Sequence, residues 1–178
     1  MKVAVEDNRS ARKWSLGVLA ARILRATVNP FFRFSPRQLW GWRRFMLRAF
    51  GARIGKNVHI YPSVNIAIPW NLDIGDLTAI GDRVILYSLG LITIGQRATV
   101  SQGAHICAGS HDYSKPDRPL TKTPITIGND AWICADAFLG PDVSVGSDAI
   151  VGARAVVVKD VADAVMVGGN PARKIKDL

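Results

Sequence analysis

From Ile54 onward an aliphatic side chain returns at every sixth residue: Ile54, Ile60, Ile66, then Ile74, Ile80, Leu86, then Ile94, Val100, Ile106. After a gap the series resumes at Ile127, Ile133, Leu139, Val145, Val151 and Val157, so all 15 positions of the frame are Ile, Leu or Val. Glycine follows eight of them, at Gly55, Gly75, Gly81, Gly95, Gly128, Gly140, Gly146 and Gly152. Four residues after each aliphatic the side chain is mostly small or β-branched, as at Val58, Thr78, Ala98, Ala104, Ala131, Ala137, Val143, Ala149 and Ala155, with Trp70 the exception. A helix cannot use this period, because six residues turn through about 600° and the apolar positions would walk around the cylinder. Short strands joined by sharp corners can: each points one aliphatic side chain inward, and glycine supplies unusual backbone angles at the bend. Stacked coils then bury a continuous aliphatic column, so the pattern predicts an all-β solenoid of hexapeptide repeats.

The interruptions predict its cross-section. Ile54, Ile74 and Ile94 are spaced by 20 residues, three hexapeptides plus two, which gives three faces per coil and a small bulge at one corner of each of the first two coils. From Ile127 to Val145 the spacing is 18, a regular coil, whereas from Ile94 to Ile127 it is 33, so the third coil carries an insertion over residues 109–126. The solenoid is expected over residues 54–161, with a short C-terminal tail at 162–178 and a helical N-terminal segment at 1–53.

In that N-terminal segment the period changes. Ser35-Pro36 reads as an N-cap with proline in the first helical turn. Leu39, Trp40, Trp42, Phe45, Met46, Ala49 and Phe50 form an apolar side, Arg37, Arg43, Arg44 and Arg48 lie opposite or flanking it, and Gly51 is a stop. Ala11 to Val28 reads as an earlier amphipathic helix carrying Arg12, Lys13, Arg22 and Arg25. Such helices fit two roles: a cap over the open end of the aliphatic column, and an interfacial contact with a membrane.

Charge sharpens that division. The 178 residues carry a formal charge of +9, which taken alone suggests nucleic acid. Residues 1–56 hold 13 Lys or Arg against Glu6 and Asp7, a net of +11, while residues 57–178 hold 10 basic against 12 acidic, a net of −2. The basic character is therefore local, and it predicts an anionic membrane or protein surface as partner instead of nucleic acid. With 48% apolar and 21% charged residues the chain is expected to fold. Arg22 and Arg25 interrupt the best apolar run, Trp14 to Val28, so no bilayer span is predicted. The N-terminus also lacks the features of a signal peptide. Cys107 and Cys134 are too few for a disulfide framework, which fits a reducing cytoplasm. Each follows an inward aliphatic, at a position often held by glycine, and is expected to be a buried small residue and not a nucleophile.

The hexapeptides resemble those of the hexapeptide-repeat acyltransferases, whose prism-shaped domain is a left-handed parallel β-helix that trimerises. Crossovers of that hand are rare in general, and the handedness is implied by the resemblance alone. Within that superfamily the chain is similar to the colanic acid biosynthesis acetyltransferases in Ser35-Pro36, Gly41-Trp42-Arg43-Arg44-Phe45, Ile68-Pro69-Trp70-Asn71-Leu72, Ile74-Gly75-Asp76, Gly109-Ser110-His111-Asp112-Tyr113 and Gly169-Asn170-Pro171-Ala172-Arg173. The resemblance implies a cytoplasmic homotrimer that moves an acetyl group from acetyl-CoA to a hydroxyl of a sugar or oligosaccharide acceptor in exopolysaccharide biosynthesis. A lipid-linked acceptor would suit peripheral membrane contact through the N-terminal segment.

Acetyl transfer from a thioester needs a hydroxyl oriented, its proton removed, and an oxyanion stabilised. The resemblance makes His111 the general base, since imidazole as a side-chain type titrates near neutral pH; the plain alternative is a surface-loop histidine. Asp112 either orients the ring, contacts the acceptor, or caps a loop turn. By the same resemblance the pantetheine arm of CoA passes Trp132 and Ala135, then Gly152 and Ala153 one coil on. The phosphate end meets Lys159 and Arg173, cations suited to it, although both also read as solvated surface charge and Trp132 as packing. Related enzymes carry an asparagine near the acceptor where this chain has Tyr87 and Ser88, so these two are the candidate acceptor-side residues. Gamma-class carbonic anhydrases hold zinc with three histidines on the same prism. His59, His105 and His111 all occupy sixth hexapeptide positions, but counting puts them on the first, second and third faces, so no metal is expected. A non-catalytic scaffold is the remaining alternative. Serine acetylation is disfavoured because the large helical domain of those enzymes is lacking.

Overall fold

The computed structural model describes residues 5–11 and 13–178; residues 1–4 and Arg12, both within the predicted N-terminal segment, lie outside the described residues. Three parallel sheets form the faces of a prism. The first stacks Arg53–Ile54, Leu72–Ile74, Ile92–Ile94, Ile125–Ile127 and Ser144–Val145. The second runs His59–Ile60, Ala79–Ile80, Thr99–Val100, Trp132–Ile133, Ile150–Val151 and Val165–Gly168, and the third Asn65–Ile66, Ile85–Tyr87, His105–Cys107, Phe138–Leu139 and Val156–Val157. Register runs straight up each face, Ile54 over Ile74 over Ile94 over Ile127 over Val145 on the first. All 15 aliphatics of the six-residue frame are buried in one continuous core. Strands of two or three residues are stable here because each coil's amides donate to the carbonyls of the next, as Gly75 N does to Ile94 O at 2.8 Å.

The frame glycines serve a different purpose from the one their spacing suggested. None of the eight has a positive φ. The left-handed corner residues come two positions later and are mostly Asn, Asp or Arg: Asn57, Arg83, Arg97, Asp130, Asp136, Asp142, Asp148 and Arg154, all with φ between 53° and 64°. Gly75 is glycine because coils stack closely; a Cβ there would lie 2.7 Å from the backbone nitrogen of Gln96.

The solenoid also runs further than its aliphatic frame. Val165 and Val167 continue the core past residue 161, and Arg173–Asp177 folds back antiparallel on Val165–Gly168. The expected tail is thus partly a sixth coil and its edge strand. The six-residue frame ends there because Gly169 to Ala172 turn the chain back over the third face, where Ala172 N donates to Val156 O.

At the other end sit three helices: α1 (Val5–Ser10), α2 (Leu16–Arg33) and α3 (Trp40–Ala49). Ser15 caps α2, its Oγ accepting from Val18 N at 3.3 Å. Ser35-Pro36 does not cap α3, which begins four residues later; Ser35 Oγ turns back to Phe32 O at 2.7 Å. Gly51, at φ +84°, ends α3 as its position predicted. Phe32, Met46 and Leu47 join the core above Ala52 and Ile54, so the helices close the first coil.

The buried side of α3 includes Arg43, which is fully buried, while Trp42 and Phe45 stack on each other outside. The buried side of α3 thus mixes Arg43 with Met46 and Leu47, and part of the apolar side read from the sequence faces outward. The Arg43 guanidinium donates to Ile60 O at 2.5 Å, Pro36 O at 2.8 Å, Ser35 Oγ at 2.9 Å and Arg37 O at 2.5 Å. A positive charge is tolerated inside because every donor direction it uses finds an oxygen.

Candidate active site

The corner from the third face to the first carries every departure from the hexapeptide. In coil one it is the 3₁₀ turn Pro69–Asn71, in coil two the segment 88–91, and in coil three the long excursion that leaves at Gly109 and rejoins at Ile125. They are stapled into one column. Ser88 Oγ donates to Ile68 O at 2.8 Å and accepts from Ile68 N at 2.9 Å, and Asn71 Nδ2 donates to the carbonyls of Ser88 and Leu89. Gly90 N then donates to Ala108 O at 2.6 Å, the last residue before the excursion begins. Ser88 is fully buried with its hydroxyl engaged on both sides, so it is a staple and does not reach an acceptor. Tyr87, one position earlier, is exposed at this same corner one coil below the excursion.

The excursion is a hairpin, Ser110–His111 paired antiparallel with Leu120–Thr121. His111 is exposed, and its Nδ1 lies 2.7 Å from the carbonyl oxygen of Arg118. A carbonyl only accepts, so Nδ1 carries the hydrogen, and in the neutral ring Nε2 presents a lone pair. Asn8 Nδ2 donates to the same oxygen at 2.5 Å, and Lys122 Nζ sits 3.9 Å over the Trp14 ring, so the N-terminal segment braces the hairpin. Sequence reading missed Asn8, 110 positions from its acceptor, because nothing local marks it.

Of the three roles open to Asp112, the turn cap is the one seen. Its carboxylate accepts from Ser114 N at 3.0 Å and Ser114 Oγ at 2.5 Å and pairs with Lys115. Those hydrogen bonds, with Lys115, hold its carboxyl below the usual carboxylate range.

The donor-side candidates gather elsewhere. Trp132 is half exposed on the second face, its Nε1 donating to Ser101 Oγ at 2.9 Å. Ala135 lies at the corner between second and third faces, directly under Ala153, since Arg154 N donates to Ala135 O. Gly152 leads to the same corner and Arg173 follows beside Gly168 one coil further on. Lys159 and Arg173 line one groove at the end of the prism. The chain therefore brings Trp132, Ala135, Gly152, Ala153 and Arg173 along one edge, and His111 and Tyr87 along another.

His59 stands on the second sheet, stacked on Trp40, His105 on the third between Tyr87 and Phe138, and His111 on the hairpin. Two of these faces differ from the count by one, because a sixth position opens the strand of the following face. Among the described residues no three His, Cys, Asp or Glu come together as a metal site. Burial pushes the thiols of Cys107 and Cys134 up, away from the thiolate a nucleophile requires.

The three-faced parallel solenoid of hexapeptides is shared with known transferases. Residues 124–159 match the family model described as bacterial transferase hexapeptide (six repeats). The chain is 47% identical over 152 residues to the colanic acid biosynthesis acetyltransferase WcaF of Escherichia coli (strain K12), covering 85% of this chain and 84% of that one. It superposes on a hexapeptide-repeat-containing acetyltransferase from Vibrio cholerae, in complex with acetyl coenzyme A, with a TM-score of 0.85 at 24% identity, covering 94% and 92% of the two chains. A maltose O-acetyltransferase from Clostridium difficile gives 0.84 at 20% identity over 99% and 97%. The fold is the left-handed β-helix of these enzymes. The chain belongs to the hexapeptide-repeat acetyltransferases of the colanic acid biosynthesis type.

Proposed function

We propose that this chain transfers the acetyl group of acetyl-CoA to a hydroxyl of a sugar or oligosaccharide during exopolysaccharide assembly. The observation that carries the reading is the His111 ring held by Arg118 O with Nε2 directed away as acceptor. In the step, Nε2 takes the hydroxyl proton as the oxygen attacks the thioester carbonyl. The tetrahedral adduct then collapses, the C–S bond breaks, and the CoA sulfur leaves as a thiolate that receives the proton back from the imidazolium. Tyr87, at the same corner, is placed to touch the acceptor, and Asp112 contributes by fixing the turn.

The acting unit is a homotrimer. His111 and the edge carrying Trp132, Ala135, Gly152 and Ala153 lie at different corners of one prism, so base and donor meet when one copy's hairpin faces another copy's edge. Lys159 and Arg173, which line one groove at the end of the prism, supply cations for the phosphates of CoA. The enzyme works at the cytoplasmic side of a membrane, where acetyl-CoA and a lipid-carried acceptor coexist.

The test is calorimetric titration with acetyl-CoA of the metal-stripped protein and of His111→Ala. Saturable binding to both, with acetyl transfer to a sugar measured by thiol release in the first alone, is expected. Absence of binding to the folded oligomer at millimolar ligand would overturn the reading.

A further inference from the structure

Helix α2 is apolar on the side it exposes as well as on the side it packs. The side against the body holds Val18, Ala21, Arg22, Arg25, Val28 and Phe32, and Arg25 is only 8% exposed, its guanidinium spent on Asn29 Oδ1 at 2.5 Å and on the Phe32 ring. The opposite side presents Leu16, Leu19, Ile23, Leu24 and Phe31 to solvent, with Ile23 at 59% and Phe31 at 66%. A helix on a water-facing surface carries polar side chains on that side. The exposed apolar side continues without a break into α3: Trp42 Nε1 donates to Phe31 O at 3.1 Å, Trp42 stacks on Phe45, and Phe34, 84% exposed, lies between the helices.

We infer that this face seats the protein on an anionic lipid bilayer, with α2 lying in the interfacial plane. Three observations select that occupant. Residues 1–56 carry a net +11 while the rest of the chain carries −2, so apposing this face with its counterpart on another copy would bring two strongly cationic surfaces together, whereas anionic headgroups attract it. Arg33, Arg37 and Arg48 belong to the same basic segment, their guanidiniums bonded to Ser63 O, the Tyr61 hydroxyl and the carbonyls of Ile54 and Gly55, and Trp42 provides an apolar ring whose polar N–H is already satisfied. No helix of the described residues is long and apolar enough to cross a membrane, so the contact is peripheral.

The consequence concerns the site. Trp14, just before α2, lies under Lys122, and Asn8 of α1 bonds Arg118 O, so the segment that leads into the lipid-facing helix braces the hairpin carrying His111. Docking holds the hairpin at the bilayer surface, where an acceptor with a lipid tail presents its sugar. The bilayer contact rests on the surface alone and stands whether or not the acetyl-transfer reading does.

The experiment is vesicle flotation of the full-length oligomer, comparing vesicles of equal parts phosphatidylcholine and phosphatidylglycerol with vesicles of phosphatidylcholine alone. Binding to the anionic vesicles at low salt is expected, weakened by added salt. A Leu19→Glu, Ile23→Glu, Phe31→Glu variant, altered only at exposed positions, is expected to bind about tenfold less. It should keep its oligomeric mass by light scattering and its transfer to a soluble acceptor. No binding by the parent protein, or equal binding by parent and variant, overturns the proposal. A variant that loses oligomeric mass beside a parent that ignores vesicles would assign the face to a second copy instead.

Discussion

Across the hairpin, His111 Nδ1 lies 2.7 Å from the backbone oxygen of Arg118, a residue in the left-handed region at φ +46°. The tautomer is thus set by the main chain, without a carboxylate. His111→Ala should lower kcat by about 10²–10⁴-fold, the usual worth of a general base, and leave the KM for acetyl-CoA unchanged. Steady-state kinetics with saturating acceptor decides it; a fall of less than tenfold would remove His111 from the chemistry.

The separation of His111 from the Ala153 edge makes a mixing experiment informative. His111→Ala lacks the base and Ala153→Trp fills the groove, so each homotrimer should be inactive. Co-refolded in equal amounts, they should recover about a quarter of the parent activity, because one interface in four then joins an intact hairpin to an intact edge. No recovery from properly mixed trimers would mean that base and donor meet within one chain.

Arg43 is expected to matter for stability and not for transfer. Arg43→Met keeps the stem but strips the donors from Ile60 O, Pro36 O, Arg37 O and Ser35 Oγ, leaving one buried and three part-buried acceptors without them. A loss of about 2–4 kcal/mol follows from the usual cost of such groups. Chemical denaturation is the measurement, and the remaining folded fraction should retain its kcat.

His105 gives the acid limb of stability. Its ring sits edge-on to Tyr87 and Phe138, its Nε2 is buried without a hydrogen-bond partner among the described residues, and desolvation holds its pKa below the ordinary histidine value. The unfolded chain therefore binds the proton more readily than the folded one. The contribution of His105 is fully present above the unfolded value of about 6.5 and declines as pH falls below it, levelling once the folded ring protonates. His105→Phe should flatten the fall in melting temperature between neutral and mildly acidic pH; an unchanged slope would assign the acid limb elsewhere.

The prism was legible because its rule is local: one inward aliphatic per strand, repeated, cannot be satisfied by another architecture, and the irregular spacings at Ile74, Ile94 and Ile127 marked the corner where the hairpin stands. What was not legible depended on distance or on direction. The amphipathic pattern around Arg25 or Arg43 shows two faces but not which one meets the body, and both arginines are buried there beside Phe32, Met46 and Leu47. Ser88 looked like an acceptor-side residue until its partner Ile68, 20 positions away, was seen to occupy the hydroxyl. The frame glycines misled for a related reason, since the demand for a missing Cβ comes from the next coil and not from the residue's own torsions.

The stacking of all three irregular corners on one edge has a consequence for how such a protein changes over time. Lengthening the excursion there breaks no rung between coils, and closing a loop of twice the length costs only about 0.6 kcal/mol more. Insertions elsewhere would pull strands out of register on every coil above. The edge running through Ala135 and Ala153 is cut into unbroken hexapeptides and has no such freedom. The architecture thus divides inheritance between two margins: one is bound to its register, and the other is free to be rewritten.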